Sequence, residues 1–179
     1  MINTFPPPGS LKPLVTFLYF CGVRLGEALQ IDWTQVDLNA GLIRLEREQT
    51  KNSEPRTVPL PDMLIGMLEM VDDKSGTVFD GTNLRKAWHK ACAAAGLGTL
   101  TEVEGKPDPR YTGLIIHDLR RSAIKNLMKA GVPEKVAMSI SGHKTRAVFD
   151  RYHIVDTEDM VEAMQRVQLG VQQVPVPGC

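Results

Sequence analysis

Six side chains spread along 179 residues are of the types that can attack a phosphodiester without a metal: Arg24, Lys51, His117, Arg120, His143 and Tyr152. Arginines clamp non-bridging phosphate oxygens bidentately and neutralise the charge of a pentacoordinate transition state. A histidine can hydrogen-bond that phosphate or take a phenolic proton. The phenol needs such help, because with a pKa of about 10 only roughly one in a thousand is ionised at neutral pH. Lysine, whose pKa falls readily in a confined site, can protonate a departing alkoxide.

Taken singly, each group also has an ordinary explanation. In GVRLGEAL, Arg24 and Glu27 stand i, i+3 on one helical face, as an exposed ion pair would. Arg24 lies in an otherwise apolar segment, however, where a desolvated guanidinium needs partners, and Glu27 could orient it. Lys51 sits in QTKNSEP, a turn between two strands, where a lysine is ordinarily just solvated. HDLR puts His117 and Arg120 three apart at a helix opening, whose free N–H groups and dipole suit a phosphate. A surface histidine and a solvated arginine fit the same tetrapeptide. Gly142-His143 exposes an imidazole at a junction between two helices, and Tyr152 follows nine residues later beside Val148 and Phe149. Tyr152 reads equally as a core aromatic with a polar tip. There is no HExxH or Cys/His cluster to hold a metal, and no G-x-S-x-G elbow.

The elements that must position these groups follow from pattern. Residues 1–10, MINTFPPPGS, are a proline-rich lead-in. Residues 11–31 read as a buried helix broken near Gly22 and resumed through Leu25 and Leu29. WTQVDL, GLIRLE and RTVPL read as three strands of a small antiparallel meander. Helical signals then prevail: PDMLIGMLEMV, TNLRKAWHKACAAAG, HDLRRSAIKNLMKAG, PEKVAMSISG, TRAVFDRYH with Thr145 as N-cap, and DTEDMVEAMQRVQ. TEVEGKPDPRYTG reads as a polar loop, and residues 169–179 as a flexible tail. The fold class expected is mainly α with a small three-stranded antiparallel sheet (α+β).

Composition fits one soluble domain able to bury a core, with no apolar run long enough to span a membrane and no signal peptide. Cys21, Cys92 and Cys179 are odd in number and scattered, which suits reduced thiols in the cytoplasm. The net charge of zero hides a split. From Arg110 to Arg151 nine basic residues meet three acids, a balance of +6 against −6 elsewhere. A polyanion site can look so, as can a solvated basic face.

In this order and spacing, GVRLGE, a lysine in a hairpin turn, HDLR, and GH nine residues before Tyr152 resemble the catalytic domain of the tyrosine recombinases, the phage-integrase family. The resemblance covers residues 11–168, and HDLRRSAIKNLMKAGVPEKVAMSISGHKTRAVFDRYHIV is similar to integrases of bacterial mobile elements and phages. It implies that Arg24 and Arg120 bind the scissile phosphate, with Glu27 supporting Arg24. Lys51 would be the general acid, His117 and His143 would assist at the phosphate, and Tyr152 would form a 3′-phosphotyrosyl DNA intermediate. Arg121, Lys125, Lys144 and Arg146 would contact DNA. The implied partners are double-stranded DNA and further copies of the chain in a tetrameric synapse, from a free monomer. No cofactor or metal is implied, nor any membrane, and the setting would be cytoplasmic, on the nucleoid of a bacterium or with a phage genome. A type IB topoisomerase-like nicking-closing enzyme and a non-catalytic DNA-binding remnant are the alternatives. Cys21 stands where the family often has threonine, and Ser141 where leucine commonly precedes Gly-His. Members usually carry an N-terminal core-binding domain too, whereas about ten residues precede the first helix here. The catalytic domain alone is expected to bind DNA weakly and lose affinity steeply with salt.

Overall fold

The computed structural model describes residues 11–47, 54–152 and 157–172. The apolar opening forms α1 (Leu11–Cys21), burying Leu14, Phe17, Leu18 and Cys21 at the spacing that predicted it. It ends at Gly22, where φ is +61° and an added Cβ would lie 3.0 Å from the Cβ of Ala123. Only glycine suits both constraints. One turn, α2 (Leu25–Ala28), follows.

The predicted meander is present as β1 (Val36–Asp37), β2 (Leu42–Leu45) and β3 (Arg56–Pro59), antiparallel and in that order. Ile43 pairs with Val58, and both face the core. The first strand is shorter than expected, because Trp33–Gln35 winds into a 3₁₀ turn. Asp32 accepts from the Thr34 N–H, and Gln35 accepts from the Asp32 N–H at 2.8 Å. That local capping overrides the β-propensity of the segment.

Two helices come next, α3 (Asp62–Glu69) and α4 (Leu84–Ala94). The stretch expected to be a polar loop corrects the sequence reading. Gly98–Thr101 (β4) and Arg110–Gly113 (β5) pair as an antiparallel hairpin. Its strands are half-exposed, so they lack the apolar alternation by which strands are recognised. Glycine holds them close instead: a Cβ at Gly113 would fall 2.4 Å from the Cα of Gly98.

The last third is helical: α5 (Asp118–Lys129), α6 (Glu134–Ser141), α7 (Arg146–Phe149) and α8 (Thr157–Gln172). Helix α8 continues four residues into the stretch expected to be tail, since extending a formed helix costs little. The main core joins α1, α2, the meander, α3 and α4 to Leu119 of α5. A smaller cluster of Ile124, Ala137 and Phe149 ties α5, α6 and α7 together, with Tyr152 packed against it. Among the described residues no helix is long and apolar enough to cross a membrane.

Candidate active site

Two arginines anchor the site through backbone carbonyls. Arg120 lies in the first turn of α5, where packing of α5 on α1 leaves its side chain only 3 % exposed. Its Nη1 donates to the carbonyls of Gly22 and Ser141, the latter at 2.7 Å. The break after α1 therefore delivers an oxygen to Arg120, and Gly22 is part of the site by its backbone. Arg24 is the N-cap of α2, and its Nη1 donates to Glu27 Oε1 at 2.8 Å and to the Gly142 carbonyl at 3.4 Å. Two guanidinium groups thus sit on successive carbonyls, 141 and 142. The exposed-ion-pair reading of Arg24 and Glu27 fails on burial, because Glu27 is 3 % exposed.

Glu27 joins Arg24 to a third arginine that the sequence reading missed. Arg56 Nη2 donates to Glu27 Oε2 at 2.5 Å, and the Arg56 side chain is 11 % exposed. Burial alone would push the Glu27 carboxyl up. Hydrogen bonds and charges from Arg56 and Arg24 outweigh that and hold it below the ordinary carboxylate range. Arg56 was legible in principle: in RTVPL it lies two residues before Val58, so a strand puts both on the inward face. Its guanidinium also packs under Gly142, whose φ is +73°; a Cβ there would fall 2.5 Å from the Arg56 Cζ. Arg56 Nε is buried without a hydrogen-bond partner. A cavity of about 380 Å³ opens beside it, lined among others by His143 and Lys144.

His143 follows the left-handed Gly142 and turns back into the site, 6 % exposed. Its Nδ1 lies 2.8 Å from Ser141 Oγ, and its Nε2 lies 2.8 Å from Arg120 Nη2. Burial and then the charges of Arg120, Arg24 and Arg56 lower its pKa to about 3, so the imidazole is neutral at pH 7. The same crowding, burial first and Arg24 next, lowers Arg120 to about 10.

Tyr152 lies in a turn three residues beyond the end of α7, its N–H donating to the Phe149 carbonyl at 2.8 Å. One side of the ring packs on the small cluster, as a core aromatic would. The hydroxyl faces His117, the N-cap of α5, at 3.1 Å from Nε2. The ring centroid is 5.1 Å from that of His143 and 5.8 Å from the Arg120 Cζ. Tyr152 is therefore a packed aromatic whose hydroxyl is held beside an imidazole and whose ring lies near a guanidinium.

Lys51 lies outside the described residues. Of the residues expected to contact DNA, Arg121 is exposed and Lys125 half-buried. Lys144 is paired with Glu54 at 2.8 Å, and Arg146 with Glu134 at 3.2 Å. These are exposed pairs of the kind a competing polyanion displaces readily. Cys21 donates its thiol to the Pro59 carbonyl at 3.4 Å, tying α1 to β3, and burial pushes its pKa up to about 12. Among the described residues no three His, Cys, Asp or Glu side chains are grouped to hold a metal.

Comparison with known proteins gives matches of one kind. The model of the phage integrase family matches residues 2–159. A shufflon-specific DNA recombinase of Escherichia coli is 31% identical over 134 residues, which are 73% of this chain and 31% of that protein. The catalytic domain of bacteriophage HP1 integrase has a TM-score of 0.59 at 24% identity, over 86% of this chain and 79% of that one. The XerH site-specific recombinase bound to palindromic difH substrate, in a post-cleavage complex, has a TM-score of 0.59 at 21% identity. That match covers 86% of this chain and 44% of XerH. The two structures show a shared fold. The chain spans between 31% and 50% of the length of the curated relatives it matches first.

Proposed function

The chain belongs to the phage integrase family, and we propose that residues 11–168 act as the catalytic domain of a site-specific DNA recombinase. The observation that carries this reading is the docking of Tyr152: its hydroxyl is 3.1 Å from His117 Nε2 and its ring lies against Arg120 and His143. Tyr152 Oη attacks the scissile phosphorus, its proton leaves toward His117 Nε2, and the 5′-oxygen departs as a 3′-phosphotyrosyl bond forms. Arg24 and Arg120 hold the non-bridging oxygens, and Lys51 is the source of the proton for the departing 5′-hydroxyl. Attack by a 5′-hydroxyl of the partner strand reverses the steps, so the bond energy is conserved and neither nucleotide hydrolysis nor a metal is called for. Glu27 keeps Arg24 and Arg56 facing the phosphate.

The partner on this reading is duplex DNA, with Arg121, Lys125, Lys144 and Arg146 on its backbone; XerH is bound to its palindromic difH substrate. Exchange of strands requires several protomers, a tetrameric synapse assembled from monomers on nucleoid DNA in the cytoplasm. The test is a nicked suicide duplex carrying the target site, followed by denaturing electrophoresis. Wild-type protein gives a covalent protein–DNA adduct, and Tyr152→Phe gives none while still retarding the duplex on a native gel. An adduct that persists in Tyr152→Phe, through Tyr19 or Tyr111, overturns the assignment.

A further inference from the structure

Ser141 is fully buried at the end of α6, and its hydroxyl sits in a chain of hydrogen bonds whose polarity can be assigned. Its Oγ lies 2.7 Å from the Ala137 carbonyl, which can only accept, so the single hydroxyl proton points there. The lone pairs of Oγ remain for His143 Nδ1 at 2.8 Å, and that nitrogen must then be the donor. Arg120 Nη2 lies 2.8 Å from Nε2 and 3.1 Å from Nδ1; a guanidinium can only donate, and with Nδ1 already a donor to Oγ its acceptor is Nε2, the nearer nitrogen. The opposite tautomer sets two N–H donors against each other at Nε2, and imidazolium adds a charge beside three arginines.

We propose that Ser141 is a positioning residue that fixes His143 as the neutral Nδ1–H tautomer and, through Nε2, sets the orientation of Arg120. The relay runs from Arg120 Nη2–H to Nε2, from Nδ1–H to Oγ, and from the hydroxyl to the Ala137 carbonyl. Arg120 Nη1 is already committed to Gly22 and Ser141, so the Nη2 bond to His143 fixes the remaining rotation of the guanidinium plane. In DNA-free protein His143 is thus an acceptor that holds an arginine. A leucine at position 141 has no hydroxyl and leaves Nδ1 without this partner, which makes the relay a property of this chain's SGH sequence.

The inference rests on the recombinase reading for its catalytic consequence and not for its structural one, and two measurements separate them. The first is ¹⁵N–¹H correlation spectroscopy of the imidazoles in the free protein, with His143 assigned through His143→Asn. Protonated Nδ1 and unprotonated Nε2 are expected in wild type, with loss of that preference in Ser141→Ala. The second is single-turnover cleavage of the suicide duplex: Ser141→Ala should be slower by roughly ten-fold, the value of one buried hydrogen bond, at unchanged DNA affinity. Ser141→Thr, which keeps the hydroxyl, should recover the tautomer signature. A wild-type His143 protonated at Nε2, or a Ser141→Ala protein with the wild-type tautomer and cleavage rate, overturns the proposal. Loss of cleavage in Tyr152→Phe bears only on the recombinase reading, and the imidazole spectrum bears only on the relay.

Discussion

Lowering the pH from 7 to 5 loads a proton onto His143 in the unfolded chain while the folded chain refuses it. In the folded protein, burial and the charges of Arg120, Arg24 and Arg56 bring its pKa to about 3. In the unfolded chain it titrates near 6.5. Between those values the unfolded state binds one more proton, so stability must fall as the pH falls. The slope approaches about 1.4 kcal/mol per pH unit, which gives about 2 kcal/mol at pH 5. Glu27 does not confuse this window. Its pKa is lowered on folding, so its contribution is complete above the unfolded carboxyl value and is lost only as the pH falls through the folded one. His89 does act in the same direction, since burial and Arg85 lower its pKa too. His143→Asn is therefore the control. Urea unfolding followed by circular dichroism at pH 7 and pH 5 should show wild type losing about 2 kcal/mol more than the variant between the two. Equal losses in both proteins, or a folded-state titration of His143 centred near 6.5, would refute the reasoning.

Two further substitutions probe the arginine cluster. Glu27→Gln removes the carboxylate that holds Arg24 and Arg56 and should cost roughly 2–4 kcal/mol, because partners of a buried ion pair are left uncompensated. In calorimetry Tm should then drop by roughly 5–15 °C for a domain of this size, and a drop below about 2 °C would show that solvent satisfies the arginines. Gly142→Ala meets both a positive φ and the Arg56 Cζ at 2.5 Å, so it should destabilise by roughly 1–3 kcal/mol. Much of that loss should return when Arg56→Ala is added, as a double-mutant cycle would measure. Full additivity would mean that the clash is relieved elsewhere.

How legible the fold was depended on whether an element buried a periodic face. Helix α1 and the inward face of β2 and β3 announce themselves because Leu14, Phe17, Leu18, Ile43 and Val58 sit at the spacings their elements require. The β4–β5 hairpin does not. It is held by close approach at Gly98 and Gly113 and by Tyr111, whose hydroxyl donates to the Leu114 carbonyl at 2.8 Å. None of this leaves an alternating apolar pattern. The side chains with chemical potential could be picked by type, and the structure brings Arg24, His117, Arg120, His143 and Tyr152 into one place. What holds them there was hidden for a physical reason. The carbonyls of Gly22, Ser141 and Gly142 are backbone atoms that any sequence possesses, and only the positive φ at the two glycines turns them inward. Arg56 differs, since its spacing to Val58 made it legible only once the inward face of that short strand was fixed; until then a charged residue there reads as solvent-facing.

The charge of the cluster explains why these carbonyls matter. Three guanidinium groups face one carboxylate, and His143 is neutral, so the described part of the site carries two uncompensated positive charges. Such an excess in a largely buried place opposes folding unless dipoles oppose it. Backbone oxygens supply partial negative charge without adding a formal one. A second carboxylate would stabilise the cluster further, but it would also compete with an anion for the same N–H groups. The arrangement observed leaves the cluster tolerable yet electrostatically unsatisfied, and the lowering of Arg120 to about 10 reflects burial first and then that residual repulsion from Arg24. On the proposed function, a phosphodiester entering between Arg24 and Arg120 would relieve it, and the further negative charge developing at phosphorus during attack would relieve it more. Stabilisation that grows along the reaction coordinate is what separates catalysis from binding, and on the proposed function it would follow from answering three arginines with carbonyl oxygens and a single glutamate.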